Sequence, residues 1–382
     1  MSLAVFEGSS QALDAASAVA EATRGWPETT PPDLVLVFSS PVRSAAEVAA
    51  ELSRRFPSTQ IVGCTTAGEH LSGRHTNGGL VATGLRSPAL RWATGLIEDI
   101  ATIDEAGVQA VVGRMFAQLG VDRAMFDASR YFCLCFIDGL AGKEEKVSPM
   151  IADALDGVAL LGGSAGDDLA FRRTEVICGG VARSGAAVLA LCDSRLPFEI
   201  IKHQHFLATP ARLAITRADP DARRVYEIDG IAAVDAYARA LGIPRAEFDA
   251  TVASDHPLTF RYQHELYVRS VQQVHDDGSI SFYCAIEEGM VVDVCSRADL
   301  VTALAGDLAR ATSGPAAFLF GSNCILRALE TGKRDQHGAV GELFQRHARH
   351  MIGFDTYGEQ LNGLHINQTL VALAVRDAAE AA

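Results

Sequence analysis

One repeated segment constrains the fold of this chain more than any other feature. Leu34-Val35-Leu36-Val37-Phe38-Ser39-Ser40 is an apolar run of strand character. After Pro41, apolar residues recur at Ala45, Val48, Ala49, Leu52 and Phe56, one face of a helix. A short strand, Ile61-Val62, then enters Gly63-Cys64-Thr65-Thr66-Ala67-Gly68-Glu69. The same order returns in Phe132-Cys133-Leu134-Cys135-Phe136-Ile137-Asp138, in the helix face Val147, Met150, Ile151, Ala154 and Leu155, and in Leu161-Gly162-Gly163-Ser164-Ala165-Gly166-Asp167. Phe38 and Phe136, Gly63 and Leu161, and Gly68 and Gly166 are each 98 residues apart. Loops tolerate insertions freely, so an unbroken offset points to a duplicated strand–helix–strand unit.

A third copy lies near the C-terminus. Its strand is Phe318-Leu319-Phe320, its helix face Val340, Leu343, Phe344, His347 and Met351, and its turn Gly353-Phe354-Asp355-Thr356-Tyr357-Gly358-Glu359. Each turn carries a hydroxyl, then Ala or Tyr, Gly and an acid. The glycine supplies a positive φ or a close backbone approach, and the polar side chains can bond the freed turn amides. Three such turns are expected to meet around one pocket.

Between the copies the chain is β-rich. Residues 174–192 read as two strands, and 266–274 and 279–286 flank the hairpin signal His275-Asp276-Asp277-Gly278. A helix through Ile231, Val234, Ala238 and Leu241 is stopped by Gly242 and Pro244. Residues 205–225, with Pro210 and Pro220 and a charge-rich turn, are expected as the domain boundary. Alternating helix and strand periods give an α/β class with mixed (α+β) sheets.

Composition excludes several functions. The 382 residues hold 33 Lys+Arg against 47 Asp+Glu, a formal charge of −14. Lys occurs only at Lys143, Lys146, Lys202 and Lys333, so neither a nucleic-acid face nor a polybasic membrane patch is expected. No apolar run reaches membrane-spanning length, and Met1-Ser2-Leu3-Ala4-Val5-Phe6-Glu7 lacks the basic and long apolar regions of a signal peptide. A cytoplasmic location is expected. The eight Cys form no C-x-x-C and read as small buried hydrophobes.

No phosphate-binding loop, dinucleotide fingerprint or G-x-S-x-G is present. His264-Glu265-Leu266-Tyr267-Val268 breaks the H-E-x-x-H zinc pattern. The pairs His203/His205 and His347/His350 lack the further ligands of structural zinc. One imidazole suffices, however, to hold a haem iron. His205 follows Phe198, Ile200 and Ile201 and precedes Phe206 and Leu207. His365 lies beyond the third turn between Leu364 and Ile366, and His256 precedes Pro257-Leu258. His205 ranks first as a proximal ligand, then His365, then His256. Cys324, with Arg327 nearby, and Cys64 are the candidate thiolate nucleophiles of a covalent enzyme.

Several long segments together resemble the FIST sensory family, with an N-terminal and a C-terminal domain. Residues 61–69 and 160–167 carry the N-terminal likeness. The C-terminal likeness rests on Tyr267-Val268-Arg269-Ser270, Phe282-Tyr283-Cys284-Ala285-Ile286-Glu287-Glu288-Gly289, Cys324-Ile325-Leu326-Arg327-Ala328-Leu329-Glu330, and 353–360 with His365-Ile366-Asn367-Gln368-Thr369. Within the family the chain looks most like the nitric-oxide-sensing branch. The resemblance implies a two-lobed protein, with a FIST N domain over 1–205 and a FIST C domain over 206–382. It implies non-covalent haem b, nitric oxide as the signal, and regulation in trans of a histidine kinase or of a diguanylate cyclase or phosphodiesterase. Such a protein is a bacterial two-component or cyclic-di-GMP signalling sensor and not an enzyme, and a homo-oligomer is compatible with it. The branch reads Asp before Cys-Ile-Leu-Arg, whereas this chain has Asn323, one charge fewer near the expected site. The competing reading is a haem-free sensor of an amino acid or similar solute. Arg327, Arg269 and Glu359 would then clamp its charges, in a pocket with Cys324, Tyr357, Thr66 and Ser164.

Overall fold

The computed structural model describes residues 2–312 and 314–377. The chain forms two compact units, and neither is a continuous half. The first takes residues up to 202, 305–365 and those from 370; the second takes 203–304 and 366–369.

The first unit is built from the repeat. The strand Leu34–Ser39 pairs in parallel with Gln60–Thr65, Tyr131–Ile137 with Ala159–Ser164, and Phe318–Cys324 with Met351–Thr356. Parallel neighbours need a crossover, and the helices supply it. In the first copy this is Ala45–Arg55, whose Ser44 accepts the Glu47 N–H as N-cap and whose buried face is Ala45, Val48, Ala49 and Leu52. In the second it is Glu144–Leu155, burying Val147, Ile151, Ala154 and Leu155. The third crossover is two helices, Ile325–Lys333 and His337–His347, broken where Asp335 turns left-handed. Met351, expected on that helix, instead opens the following strand.

All three sheets have one strand order. Each runs from an outer strand through an antiparallel neighbour to the central parallel pair and ends in a hairpin. The hairpin never belongs to the same copy. That of the first turn, Glu69–Leu71 with Arg74–Thr76, pairs with Met351–Thr356 of the third. Residues after the third turn, Glu359–Leu361, pair with Ala159–Ser164 of the second. Val176–Cys178, beyond the second turn, pairs with Gln60–Thr65 of the first. Each glycine turn therefore carries the chain from its own sheet to the next, closing a three-way exchange.

Phe38, Phe136, Phe320 and Phe354 fill the centre. Phe38 stacks on Phe354 at 4.4 Å and meets Phe136 edge-on at 5.3 Å. The second strands press tightly on the first: a Cβ on Gly63 would stand 1.7 Å from the Val37 carbonyl oxygen, and one on Gly162 1.8 Å from that of Cys135. The offset of 98 slips here, because Phe38 pairs with Cys64 but Phe136 with Gly163, 99 residues on.

The second unit is an antiparallel sheet in the order Glu265–Arg269, Leu258–Tyr262, Val291–Arg297, Phe206–Asp219, Arg224–Ile228, Ile280–Phe282, Val271–Val274. The helix Ala233–Leu241 covers it with Val234, Tyr237 and Ala238, and Gly242 caps it at φ 71°. Residues 205–225 begin just past the division of the units at 202/203. They contain the 14-residue strand Phe206–Asp219, and Pro210 sits at its irregularity between Ala208 and Arg212. Residues 174–192 hold three strands rather than two. Among the described residues no helix is long and apolar enough to cross a membrane.

Candidate functional site

The three glycine turns do meet, laced by backbone hydrogen bonds. Gly166 N–H donates to Thr65 C=O at 2.9 Å, Ala67 N–H to Asp355 C=O at 3.1 Å, and Tyr357 N–H to Ser164 C=O at 3.1 Å. Each turn thus touches the next in a closed ring. Gly68 and Gly358 have φ of 150° and 144°, so the positive-φ reading holds in two turns. At Gly166 the need is for close approach, since a Cβ there would lie 2.9 Å from the Ala67 nitrogen.

The hydroxyl and acid of the first and third turns form equivalent buried pairs. Thr66 Oγ1 donates to Glu69 Oε1 at 2.6 Å, and Thr356 Oγ1 to Glu359 Oε1 at 2.5 Å. Glu69 Oε2 also accepts the Gly79 N–H at 2.9 Å. Burial pushes the Glu69 carboxyl up to about 7 despite these bonds, with Asp168 and Asp355 adding to the effect. The second turn differs. Asp167 accepts the N–H groups of Phe171, Arg172 and Arg173, while Ser164 receives Gln360 Nε2 at 2.9 Å and lies 3.3 Å from Glu144.

Tyr357 bridges two turns. Its hydroxyl donates to Asp167 Oδ1 at 2.6 Å and accepts the Leu169 N–H at 2.9 Å, and its ring stacks on Phe171. Burial raises the Asp167 carboxyl, but the Tyr357 hydroxyl and the three amides outweigh it and hold it below its usual value. A depressed carboxyl stabilises the fold above its unfolded pKa and loses that contribution as pH falls through its folded one. Tyr357→Phe should therefore cost about 1–2 kcal/mol at pH 7, and less near pH 3. Urea midpoints at the two pH values measure this, and an equal cost at both would remove Asp167 from the account.

Beside the ring lies a second cluster. Asp355, fully buried, accepts from His70 Nε2 at 2.8 Å, His75 Nε2 at 2.7 Å and Asn323 Nδ2 at 2.7 Å. Asn323 Oδ1 in turn accepts Arg327 Nε at 3.1 Å. The position where the branch carries Asp thus holds a carboxylate's neighbour and orients it. Burial alone would raise the Asp355 carboxyl, yet His70 and His75 hold it well below the carboxylate range. Burial likewise opposes charge on His75, but its bond to Asp355 and the carboxylates of Asp355 and Glu69 prevail and raise its pKa. His337 stacks on His75 at 4.3 Å. Burial lowers the buried Arg327 guanidinium to about 10, with Glu330 and Glu359 opposing. A cavity of about 10 Å³, lined by His70, His75, Asn323, Arg327 and His337 among others, has room for roughly one water.

Among the anticipated pocket residues, Thr66, Ser164, Tyr357 and Glu359 stand in the ring, and Arg327 feels the charge of Glu359. Cys324 is buried and opens the helix that carries Arg327. Cys64 is wholly buried and its thiol is pushed well up by burial, which leaves no accessible thiolate. His365 is buried on the hairpin of the third turn, its Nδ1 3.2 Å from Gln360 Nε2. His205, His256 and Arg269 belong to the second unit. His205 is 2% exposed with Phe206 at 4.4 Å, and Phe206 continues into a cluster with Val268 and Cys295. His256 Nδ1 lies 3.2 Å from the Cys295 carbonyl, and the Arg269 guanidinium covers the Phe260 ring.

His70, His75, Asp355 and His337 escaped the sequence reading. A signal for the first pair was present. Ser72-Gly73 is a two-residue turn, which places His70 opposite His75.

The family model of the FIST N domain matches residues 33–231, and that of the FIST C domain matches 233–362. The chain belongs to the FIST family. FIST domains are sensor domains of signal transduction that bind small ligands. A comparison with curated proteins gives no match. Among solved structures, the FIST chain is similar to the crystal structure of cyanuric acid hydrolase from A. caulinodans, with 9% identity and a TM-score of 0.40 over 98% of this chain and 100% of that one.

Proposed function

We propose that this FIST protein is a haem-binding nitric oxide sensor. In this reading it reports its ligand state in trans to a histidine kinase or to an enzyme that makes or degrades cyclic-di-GMP. The resemblance of several segments to the nitric-oxide-sensing branch supports the reading. The observation that carries it is the burial of His205, an imidazole at 2% exposure against Phe206 and the apolar cluster of Val268 and Cys295. That donor and those neighbours suit the proximal side of a haem, which needs one nitrogen ligand and an apolar wall. Bound there, haem iron supplies an open distal position for a diatomic gas. His256 is the next candidate, since a bond from its Nδ1 to the Cys295 carbonyl leaves Nε2 available. His365 follows.

The test is an absorption spectrum of protein made with ample haem. A Soret band that moves with nitric oxide is expected, and His205→Ala should lose most of the haem while His365→Ala keeps it. A wild-type Soret band in His205→Ala would pass the role to His256. Failure of the wild-type protein to take up haem would overturn the reading. Change in the autophosphorylation or cyclic-di-GMP turnover of a partner on gas binding tests the signalling half.

One observation favours the haem-free reading. Arg327 Nη1 is buried without a hydrogen-bond partner among the described residues, at the edge of the 10 Å³ cavity. A solute carboxylate would satisfy it, but an amino acid needs that cavity to open. A rise in melting temperature with an amino acid, in protein that takes up no haem, would establish this reading instead.

A further inference from the structure

The row of side chains across the third sheet has the composition of a metal centre. His70 and His75 face each other across the hairpin, so they share a face. His70 stands opposite Gly353 on the next strand, and Asp355 lies two residues along that same face. Asn323 is paired with Asp355 on the following strand. Four strands thus present His75, His70, Asp355 and Asn323 in line, with a glycine beside the imidazoles where a side chain would crowd them.

The three donor groups can each offer an atom within 4.8 Å of the others. Both Nε2 atoms already aim at the carboxylate, at 2.8 and 2.7 Å and on different oxygens. Ligand atoms about 2.1 Å from one ion at tetrahedral or octahedral angles are about 3.0–3.4 Å apart. The two nitrogen–oxygen distances fall within a few tenths of an ångström of the lower end of that range. The surroundings also suit an ion. Asn323 fixes Asp355 and is fixed by Arg327, the outer layer that orients a metal-bound carboxylate. At Gly68 a Cβ would lie 2.3 Å from Asp355 Oδ2 and 2.9 Å from His75 Nε2, so only glycine leaves the cradle open.

We propose that His70, His75 and Asp355 form a binding site for a divalent transition-metal ion of the Zn2+ or Fe2+ class. Two imidazoles and one carboxylate, without thiolate, are the donor set of ions that keep open coordination positions for water or a further ligand. The adjoining cavity has room for one such water. The site lies wholly in the first unit.

The experiment uses the full chain, stripped with a chelator and dialysed, and titrated with Zn2+ alone. One equivalent should bind and raise the melting temperature. His75→Ala and His70→Gln should each lower the affinity by about 100-fold or more. Should these variants fail to fold, X-ray absorption on the wild-type Zn2+ complex decides, because two imidazole nitrogens and a carboxylate oxygen are expected around the ion. Absence of a bound equivalent in the wild type, a shell with fewer than two imidazoles, or undiminished binding by folded His75→Ala and His70→Gln would overturn the proposal and leave the cluster a hydrogen-bonded network only.

Discussion

Replacing Gly162 with alanine is expected to destabilise the protein by about 4 kcal/mol or more, among the largest effects of a single methyl group. The added carbon would stand 1.8 Å from the carbonyl oxygen of Cys135 and 2.7 Å from its carbon. Those are backbone atoms of the central parallel pair, so no side-chain rotation relieves the clash. The strands Tyr131–Ile137 and Ala159–Ser164 must part, and the hydrogen bonds between them are buried. Gly113→Ala is the control. It lies within the helix Glu105–Leu119 with nothing within 4 Å of the new carbon, and should stabilise by up to about 1 kcal/mol. Denaturant midpoints measure both, and a near-native midpoint for Gly162→Ala would mean that the two strands do not sit this close.

Asp355→Ala in chelator-treated protein is expected to cost about 3–5 kcal/mol, because it strands polar partners in the interior. His70, His75 and Asn323 all donate to this carboxylate, which is itself fully buried. Removing it also takes away an attraction that raises the His75 pKa, so the His75 ring should titrate lower. Asp355→Asn retains one acceptor oxygen and should cost less. Chemical denaturation together with the imidazole titration followed by NMR reads both effects. A loss under 1 kcal/mol with an unmoved His75 titration would show that the imidazoles have other partners.

Much of the first unit was legible because its signals are local. The helix face Ala45, Val48, Ala49 and Leu52 follows from a period of 3.6 and is buried as that period requires. The turns at 63–69, 161–167 and 353–359 do end strands of three related copies. The errors fall where local signals conflict with pairing. Met351 fits the helical period, yet pairing with Leu319 makes it the start of a strand.

The candidate site divides along the same line. His70 and His75 could be paired from the sequence, since Ser72 and Gly73 with φ of 48° and 77° make the two-residue turn that fixes their register. Asp355 could not be joined to them, being 280 residues beyond His75 and brought near only when the first hairpin adds to the third sheet.

By itself the sequence determined the repeat, its helices and strands, its glycine turns and the family, because hydrophobic period and turn chemistry act over a few residues. Only the tertiary structure decided that each hairpin joins the sheet of another copy, that the turns close into a ring, and that Asp355 becomes the common acceptor of two imidazoles. Those features rest on pairing between distant strands, where one residue of register changes which side chains meet.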